Sequence, residues 1–338
     1  MWQNTILAMG LSFGLSALLI AIALHTGLAA RIIDTPNERS LHMKPIPRSG
    51  GIMFMPAALL VAAMTGALPV WPLLGLAAAL TAVFVLDDIR GLSVPPRLGM
   101  QIACAAGIIF LTWPLSWPVM LFAMLSIIWA TNVFNFMDGA NGLAGGMAAF
   151  GFGAYSVAAL EAGAMPLAIF SASLVGGALG FLWYNFDPAR IFMGDAGAVP
   201  LGFLAAAIGL LGWRQQAWDW WFPMLVFSPF LMDATVMILR RLVRGDRIAV
   251  AHRDHYYQRL IRSGMSHRIL SLSAYGVMLA AGASALFLLR EPRFVLSAAI
   301  AWHVFYLALF LYIDLRVAPL LARRSDDSTV SPLGRDRV

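Results

Sequence analysis

Carboxylate side chains interrupt the apolar stretches of this chain at positions where they could do chemistry. Asp87 and Asp88 are adjacent in VLDDIRGL, where two negative charges repel unless a cation or a transferred proton compensates them. Oxygen-rich sites of this kind suit Mg²⁺ bound together with substrate phosphates. A solvated helix end, where paired aspartates are also common, is the alternative, and the pair alone leaves both interpretations open.

The stretch NVFNFMDGANGLAGG, residues 132–146, ends another apolar segment. Asn132, Asn135 and Asp138 are spaced three apart, which places them on one slowly drifting face of a helix. Gly139 and Gly142 then allow the backbone to turn and to approach a ligand closely. A polar helix end with glycine capping is the alternative, but three such groups on one face favour a binding site.

A third carboxylate, Asp195, follows Gly194 in FMGDAGAVPLGF, and Asn185 lies just before this loop. A carboxylate at a helix N-terminus is either a simple cap or, with glycines on both sides, a metal ligand. Asp233 lies about two turns inside the membrane from Arg240, and it is either a packing polar residue with a partner, which we favour, or a residue that supports the site from behind.

Two basic segments complete the candidate chemistry. In AHRDHYYQRL, His252, Arg253 and His255 form a pattern typical of a phosphate or diphosphate clamp. Zinc is disfavoured because matching ligands are absent nearby, and a basic loop touching anionic lipid is the alternative. In RSLHMKPIPRSGG, His42 and Arg48 either hold an anionic group or belong to a basic loop that sets membrane orientation.

The composition defines the class of chain that carries these groups. Its 338 residues are 60% hydrophobic and 12% charged, with a mean hydropathy of +0.79, whereas soluble domains carry about 25% charged residues. The single cysteine, Cys104, excludes an intrachain disulfide. Apolar runs of about 20 residues recur, so the sequence predicts an all-α polytopic integral membrane protein.

We predict about 11 transmembrane helices, at roughly 4–25, 51–68, 71–87, 98–113, 117–134, 142–160, 165–184, 198–213, 219–240, 268–289 and 294–316. With this topology all 23 Lys and Arg except Arg214, Arg290 and Arg293 share one face. By the positive-inside rule that face is cytoplasmic, the N-terminus lies outside and the C-terminus is cytoplasmic. The excess of basic residues is therefore explained by membrane orientation and by phosphate binding. It does not indicate a nucleic-acid partner.

Residues 1–320 are expected to form a single transmembrane catalytic domain, and residues 321–338 a polar, disordered cytoplasmic tail. The acids gather at the cytoplasmic ends of the spans. Because acids near hydrocarbon are expensive and tend to be functional, the pattern predicts one phosphate-chemistry site at that face.

As an ordered set, the motifs resemble the polyprenyl-phosphate N-acetylhexosamine-1-phosphate transferases of glycosyltransferase family 4. The matching pieces, from about residue 31 to 268, are RSLHMKPIPRSGG, DDIRGL, NVFNFMDGANGLAGG, FMGDAGAVPLGF and AHRDHYYQRL with the following GMSH. The last piece is more similar to the branch that initiates O-antigen and related surface glycans, because the peptidoglycan branch carries consecutive histidines there.

The resemblance implies that a UDP-activated N-acetylated amino sugar donates its sugar 1-phosphate to a polyprenyl phosphate, such as undecaprenyl phosphate, and releases UMP. It implies Mg²⁺ as the cofactor, with Mn²⁺ as an alternative ion, and a location in the bacterial inner membrane with the site on the cytoplasmic face. A homodimer is compatible with the pattern.

The resemblance also implies roles for individual residues. Asp195 and Asp138 would serve as metal ligands, and Asp87 and Asp88 would lie near the acceptor phosphate. The expected substrate contacts are donor phosphates at Asn135 and Asp138, phosphate or sugar phosphate at His252, Arg253 and His255, and the uracil at Asn141, Asn185 and Phe192. Asn132 is expected in the wall of the site.

This chain departs from the family pattern at Asn141, where many members carry a second aspartate. An asparagine can bind a nucleobase but cannot act as a base. The rival interpretations are a transporter for an anionic solute, which would place ionisable groups near mid-membrane, and a relative that binds substrate without turnover. A prenyltransferase is disfavoured, because the chain lacks two Asp-rich D-x-x-x-D helices.

Overall fold

The computed structural model describes residues 2–34, 45–112, 114–246 and 254–329, and this part is almost entirely helical. The helices are α1 Trp2–His25, α2 Gly50–Ala62, α3 Trp71–Arg90, α4 Val94–Leu111, α5 Trp117–Met137, α6 Leu143–Glu161, α7 Met165–Asn185, α8 Asp195–Arg214, α9 Trp221–Val226, α10 Ser228–Arg244, α11 Tyr256–Arg262, α12 His267–Arg290 and α13 Val295–Thr329. One short antiparallel pair, β1 Ile33–Asp34 and β2 Ile46–Pro47, joins Ile33 to Pro47. The all-α prediction is confirmed.

Nine helical segments of the described part are long and apolar enough to cross a membrane. Gly50–Arg90 is one of these, and it covers two of the predicted spans. The predicted span 219–240 is not among them, because the chain there is divided between α9 and α10. The difference from eleven therefore comes from Gly50–Arg90, which is counted as one segment despite an internal turn, and from the break that divides the span 219–240.

The first break is a turn at Gly66 that separates α2 from α3. Gly66 has a φ of 126°, which only glycine adopts without strain. Gly51 at the start of α2 and Asp88 at the end of α3 both contact the first turn of α8. The two helices are therefore antiparallel, and Gly50–Arg90 makes two passes rather than one.

The second break is at Phe227, between the six-residue helix α9 and α10. Pro229 lies in the first turn of α10, where its missing N–H costs no helical hydrogen bond. Neither helix alone is long enough to be a spanning candidate. Together, Trp221–Arg244 cover the ninth predicted span.

Three helices, α6, α7 and α8, form the buried centre of the bundle. In the 18-residue apolar stretch of each of these helices, 72% to 78% of the residues are buried. The corresponding share is 28% in α1, α4, α5 and α12. Small and polar residues join neighbouring helices, since Ser12 donates to the carbonyl of Ser173 at 2.7 Å and Ser16 donates to that of Gly177 at 3.0 Å. This packing is typical of membrane helices. Because lipid removes the hydrophobic driving force between helices, they associate through close backbone contact and hydrogen bonds.

A close crossing of α2 over the start of α8 sets the position of the site. A Cβ built on Gly51 would lie 2.2 Å from the backbone nitrogen of Gly197, so only glycine fits. The Gly50 and Gly51 amides donate to the carbonyls of Phe192 and Met193 at 2.9 and 2.7 Å. The segment before α8 is therefore fixed against the β2–α2 segment.

The expected division of the chain at residue 320 stays a prediction. Helix α13 continues to Thr329, and residues 330–338 lie outside the described residues.

Candidate active site

Four carboxylates gather at one end of the bundle. Asp87 and Asp88 are in the last turn of α3, Asp195 is the first residue of α8, and Asp138 directly follows α5. Asp87 and Asp88 are each only 5% exposed. The structure therefore brings these four aspartates together, as the sequence predicted.

Asp88 joins the end of α3 to the beginning of α8. Its carboxylate accepts hydrogen bonds from the backbone amides of Asp195 at 3.2 Å and Ala196 at 2.9 Å. These amides belong to the first turn of a helix, where unsatisfied N–H groups and the helix dipole favour a negative charge. Asp88 thus has a defined structural task as well as its predicted place beside the acceptor phosphate.

Arg97, in the first turn of α4, bridges two of the carboxylates. Its Nε lies 3.1 Å from Asp87 Oδ2 and its Nη2 lies 2.9 Å from Asp195 Oδ2. Sequence reasoning missed this residue because it counted basic residues by loop. The available signal was its position in the helix that follows DDIRGL, on the same predicted face as the aspartates.

Arg48, predicted to bind substrate, is placed beside the same carboxylates. Its Nη2 donates to the backbone carbonyl of Asp88 at 3.1 Å and lies 3.8 Å from Asp88 Oδ1. About a third of the Arg48 side chain remains exposed, at 36%. The guanidinium is therefore held at the site and still has a solvent-facing portion.

Asp138 adds a further negative group to this cluster. Removal from water raises the pKa of Asp138 well above its usual range, and the neighbouring charges of Asp195 and Asp88 raise it further. A carboxylate in this setting gains most from a nearby cation. The roles of Asp138 and Asp195 as metal ligands stay predictions.

The donor set fits a hard divalent cation in its chemistry. The clustered acids supply only oxygen ligands, which Mg²⁺ prefers, and Mg²⁺ commonly uses one or two carboxylates together with substrate phosphates. Within the described residues, no three His, Cys, Asp or Glu side chains already form a metal site by themselves. A site completed by substrate phosphate oxygens is compatible with both observations.

The predicted amide residues have different surroundings. Asn132 donates from Nδ2 to Gln101 Oε1 at 2.9 Å and to the Ile128 carbonyl at 2.8 Å, so it ties α5 to α4. Asn135 is half-buried one turn further on, and its carbonyl accepts from the Asp138 amide at 3.3 Å. Asn135 therefore contacts the backbone of Asp138 directly.

Asn141 and Asn185 belong to a second hydrogen-bond network, formed with the loops before α6 and α8. Asn185 is buried, accepts from the Gly142 amide at 2.8 Å and donates to the Ile191 carbonyl at 2.8 Å. Asn141 Nδ2 donates to Asp187 Oδ1, also at 2.8 Å. Asp187 was not predicted, and it places a carboxylate beside Asn141.

The same network includes His267, which accepts from the Asn141 amide at 3.2 Å. Phe192 is half-buried, and its backbone lies between Pro47 and Gly50. The uracil contacts predicted for Asn141, Asn185 and Phe192 stay predictions.

Of the predicted histidine and arginine clamp, the structure describes His255. His255 Nδ1 lies 3.1 Å from Asp233 Oδ1, and the ring packs 6.0 Å from the Phe136 ring. Asp233 therefore has the partner that the sequence analysis expected. His42, His252 and Arg253 lie outside the described residues.

Taken together, the fold and site define an integral membrane protein whose carboxylates, amides and arginines meet at one end of a helical bundle. Residues 70–212 match the model of glycosyl transferase family 4. The chain is 28% identical over 329 residues, 88% of each chain, to a probable undecaprenyl-phosphate N-acetylglucosaminyl 1-phosphate transferase of Bacillus subtilis.

Two further relatives extend the comparison. A decaprenyl-phosphate N-acetylglucosaminephosphotransferase of Mycobacterium leprae is 28% identical over 338 residues, covering 83% of this chain and 84% of the relative. A phospho-N-acetylmuramoyl-pentapeptide-transferase of Moorella thermoacetica is 48% identical, but only over 99 residues, 29% of this chain and 30% of the relative. Over most of its length the chain is therefore similar to polyprenyl-phosphate N-acetylglucosamine-1-phosphate transferases.

Proposed function

We propose that the protein transfers an N-acetylated amino-sugar 1-phosphate from a UDP-sugar to a polyprenyl phosphate and releases UMP. Two relatives that align with most of the chain carry names for this type of reaction, with N-acetylglucosamine as the sugar. The observation that carries the proposal is the bridge from Arg97 to Asp87 and Asp195, which brings carboxylates of α3 and α8 into one charged site.

The reaction is a single displacement at phosphorus. An oxygen of the acceptor phosphate attacks the sugar-bearing phosphorus of the donor and forms the new P–O bond. The bond from that phosphorus to the bridging oxygen breaks, and UMP leaves with the electron pair. Because the second pKa of a phosphate monoester is about 6, the acceptor needs little help from a base. Asp87 and Asp88 therefore act mainly by positioning.

In this proposal Asp195 and Asp138 would hold Mg²⁺. When bound, the ion would supply charge neutralisation for the donor diphosphate and the transferred phosphoryl group. Arg97 keeps the Asp195 carboxylate oriented through its 2.9 Å contact, and Asp88 fixes the first turn of α8 through the Asp195 and Ala196 amides. These contacts within the chain thus orient the Asp195 carboxylate before the substrate binds.

The remaining side chains bind substrate. Asn135 and Arg48 contact donor or acceptor phosphates, a role shared with His42, His252, Arg253 and His255, while Asn141, Asn185 and Phe192 form the uracil subsite. The exposed part of Arg48 beside Asp88 supports its role, since an arginine at that point can pair with a phosphate by two hydrogen bonds.

We place the site on the cytoplasmic face of the bacterial inner membrane, where UDP-sugars are available. There the product would be the first lipid-linked sugar of a surface polysaccharide of the O-antigen kind. The concentration of Lys and Arg at that face supports the orientation.

The test measures UMP release by the detergent-purified protein with undecaprenyl phosphate and a panel of UDP-N-acetyl sugars. Parallel reactions contain Mg²⁺, Mn²⁺ or EDTA, and Asp195→Asn serves as the inactive control. We expect release that requires the lipid, a divalent ion and one preferred donor. UDP binding without UMP release for any donor would contradict the transferase assignment in favour of a binding relative, and absence of UDP binding would favour a transporter.

A further inference from the structure

We infer that Asp233, a buried carboxylate of α10, is a positioning residue that orients His255 for phosphate binding. This inference rests on the proposed function, because it assigns His255 to the donor or acceptor phosphates. Asp233 is 5% exposed and His255 is 3% exposed, so the pair is shielded from water. Burial makes the hydrogen bond between them strong and its loss costly.

Asp233 holds the segment that carries His255 through three hydrogen bonds. Its Oδ1 pairs with His255 Nδ1 at 3.1 Å and accepts from the Tyr256 amide at 3.1 Å. Its Oδ2 accepts from the Tyr257 amide, also at 3.1 Å. Helix α10 thus fixes both the backbone and the ring of the segment that lies next to it.

The chemistry of the pair determines the state of the imidazole. An ionised carboxylate only accepts hydrogen bonds, so Nδ1 of His255 must carry the hydrogen. A carboxylate bonded to one ring nitrogen fixes both the tautomer and the orientation of the imidazole. Asp233 therefore determines which edge of the His255 ring can meet a ligand.

Contacts on the other side of His255 lead to the carboxylate cluster. The His255 ring packs against Phe136 and Tyr257, each at 6.0 Å between ring centres. The Tyr257 hydroxyl donates to the Phe136 carbonyl at 2.9 Å, in the last turn of α5. Asp138 follows two residues later. The position of His255 is therefore coupled to the end of α5, where the proposed metal ligand lies.

A double-mutant cycle tests this inference in the full-length protein in detergent. The variants are Asp233→Asn, His255→Gln and the double variant, and each is measured for UDP binding and for kcat and KM of UMP release. We expect each single change to weaken UDP binding or turnover by roughly 10- to 100-fold, by analogy with carboxylates that orient metal-bound histidines. The double variant should be little worse than either single variant.

A matched control separates positioning from simple loss of structure. Asp314 pairs with Arg240 of α10 and Arg259 of α11, so it ties the same helices together without a contact to His255. Asp314→Asn should lower the unfolding temperature, and its effect on UDP binding should be independent of His255→Gln. If Asp233→Asn does not fold, Asp233→Glu keeps the charge and should show a smaller loss that also depends on His255.

The outcomes distinguish the two proposals. Losses that multiply in the double variant, or a lower unfolding temperature with unchanged UDP binding and turnover, would overturn the positioning role. If the wild type binds UDP without turnover, the proposed function fails, while the coupling in UDP binding still decides the role of Asp233. If the wild type binds no UDP, both proposals are overturned.

Discussion

Arg97 and Asp195 form an ion pair of 2.9 Å that links the first turn of α4 to the first residue of α8. The same guanidinium pairs with Asp87 at the end of α3 at 3.1 Å. One arginine thus compensates two carboxylates from different helices. Such a bridge keeps the acids in place without neutralising the whole cluster, which leaves charge for a divalent ion.

Replacement of Arg97 by alanine is expected to lower turnover by about 100-fold or more, the scale for loss of one preorganised charged group. Arg97→Lys should retain an intermediate activity, because an ammonium does not reproduce the fork that reaches two carboxylates. UMP release measures both variants. Arg290→Gln is the control, since Arg290 is an exposed arginine that also pairs with an acid, Glu161, but away from the cluster. Full activity of Arg97→Ala would remove Arg97 from the site.

Asp195→Asn and Asp138→Asn are each expected to abolish turnover in a protein that still folds and extracts normally. An amide keeps the shape of the side chain but lacks the charge that a Mg²⁺ ligand supplies. A titration of UMP release against Mg²⁺ should show activity lost in EDTA and restored by the ion in the wild type only. Either variant with near-wild-type turnover would exclude that aspartate as a required ligand.

The contact between Asn141 and Asp187 predicts the effect of a second carboxylate at position 141. Asn141→Asp would place two carboxylates where Nδ2 now donates to Asp187 Oδ1 at 2.8 Å. Like charges at this distance repel, so we expect weaker UDP binding and a lower unfolding temperature. The double variant Asn141→Asp with Asp187→Asn re-forms the hydrogen bond in the opposite direction, and we expect it to recover most of the loss.

A simple additive loss in that double variant would contradict the pairing. In that case Asp187 would have a separate role, and the single variant Asp187→Asn would show it directly.

The close crossing of α2 over α8 predicts that one methyl group added at Gly51 lowers stability strongly. Gly51→Ala would place a Cβ 2.2 Å from a backbone atom of Gly197, and overpacking of this kind typically costs about 1–3 kcal/mol. We expect a lower unfolding temperature and reduced turnover, because the displaced segment carries Asp195. The control is Gly75→Ala in α3, where no atom lies within 4 Å of the new Cβ. Equal stability of the two variants would show that α8 can shift without cost.

Much of this site was readable from the chain because side-chain type and local spacing carry the signal. Acids beside apolar runs are rare enough to stand out, so Asp87, Asp88, Asp138 and Asp195 were predicted to meet. Arg97 was not predicted as a site residue. The positive-inside rule alone already explains an arginine near a membrane boundary, so its position did not indicate a further role. Asp187 and Tyr257 were missed because their partners are 46 and 121 residues away in sequence.

The sequence by itself determined that the chain is a helical membrane protein, where its apolar spans lie and which acids stand at their ends, because hydropathy and charge are local properties. The tertiary structure alone decided which helices bring those acids together, that Arg97 bridges Asp87 and Asp195, and that Asp233 holds His255. These pairings depend on the direction of α2 and α3 and on the break at Phe227. Packing between distant helices sets them, and no local spacing along the chain encodes them.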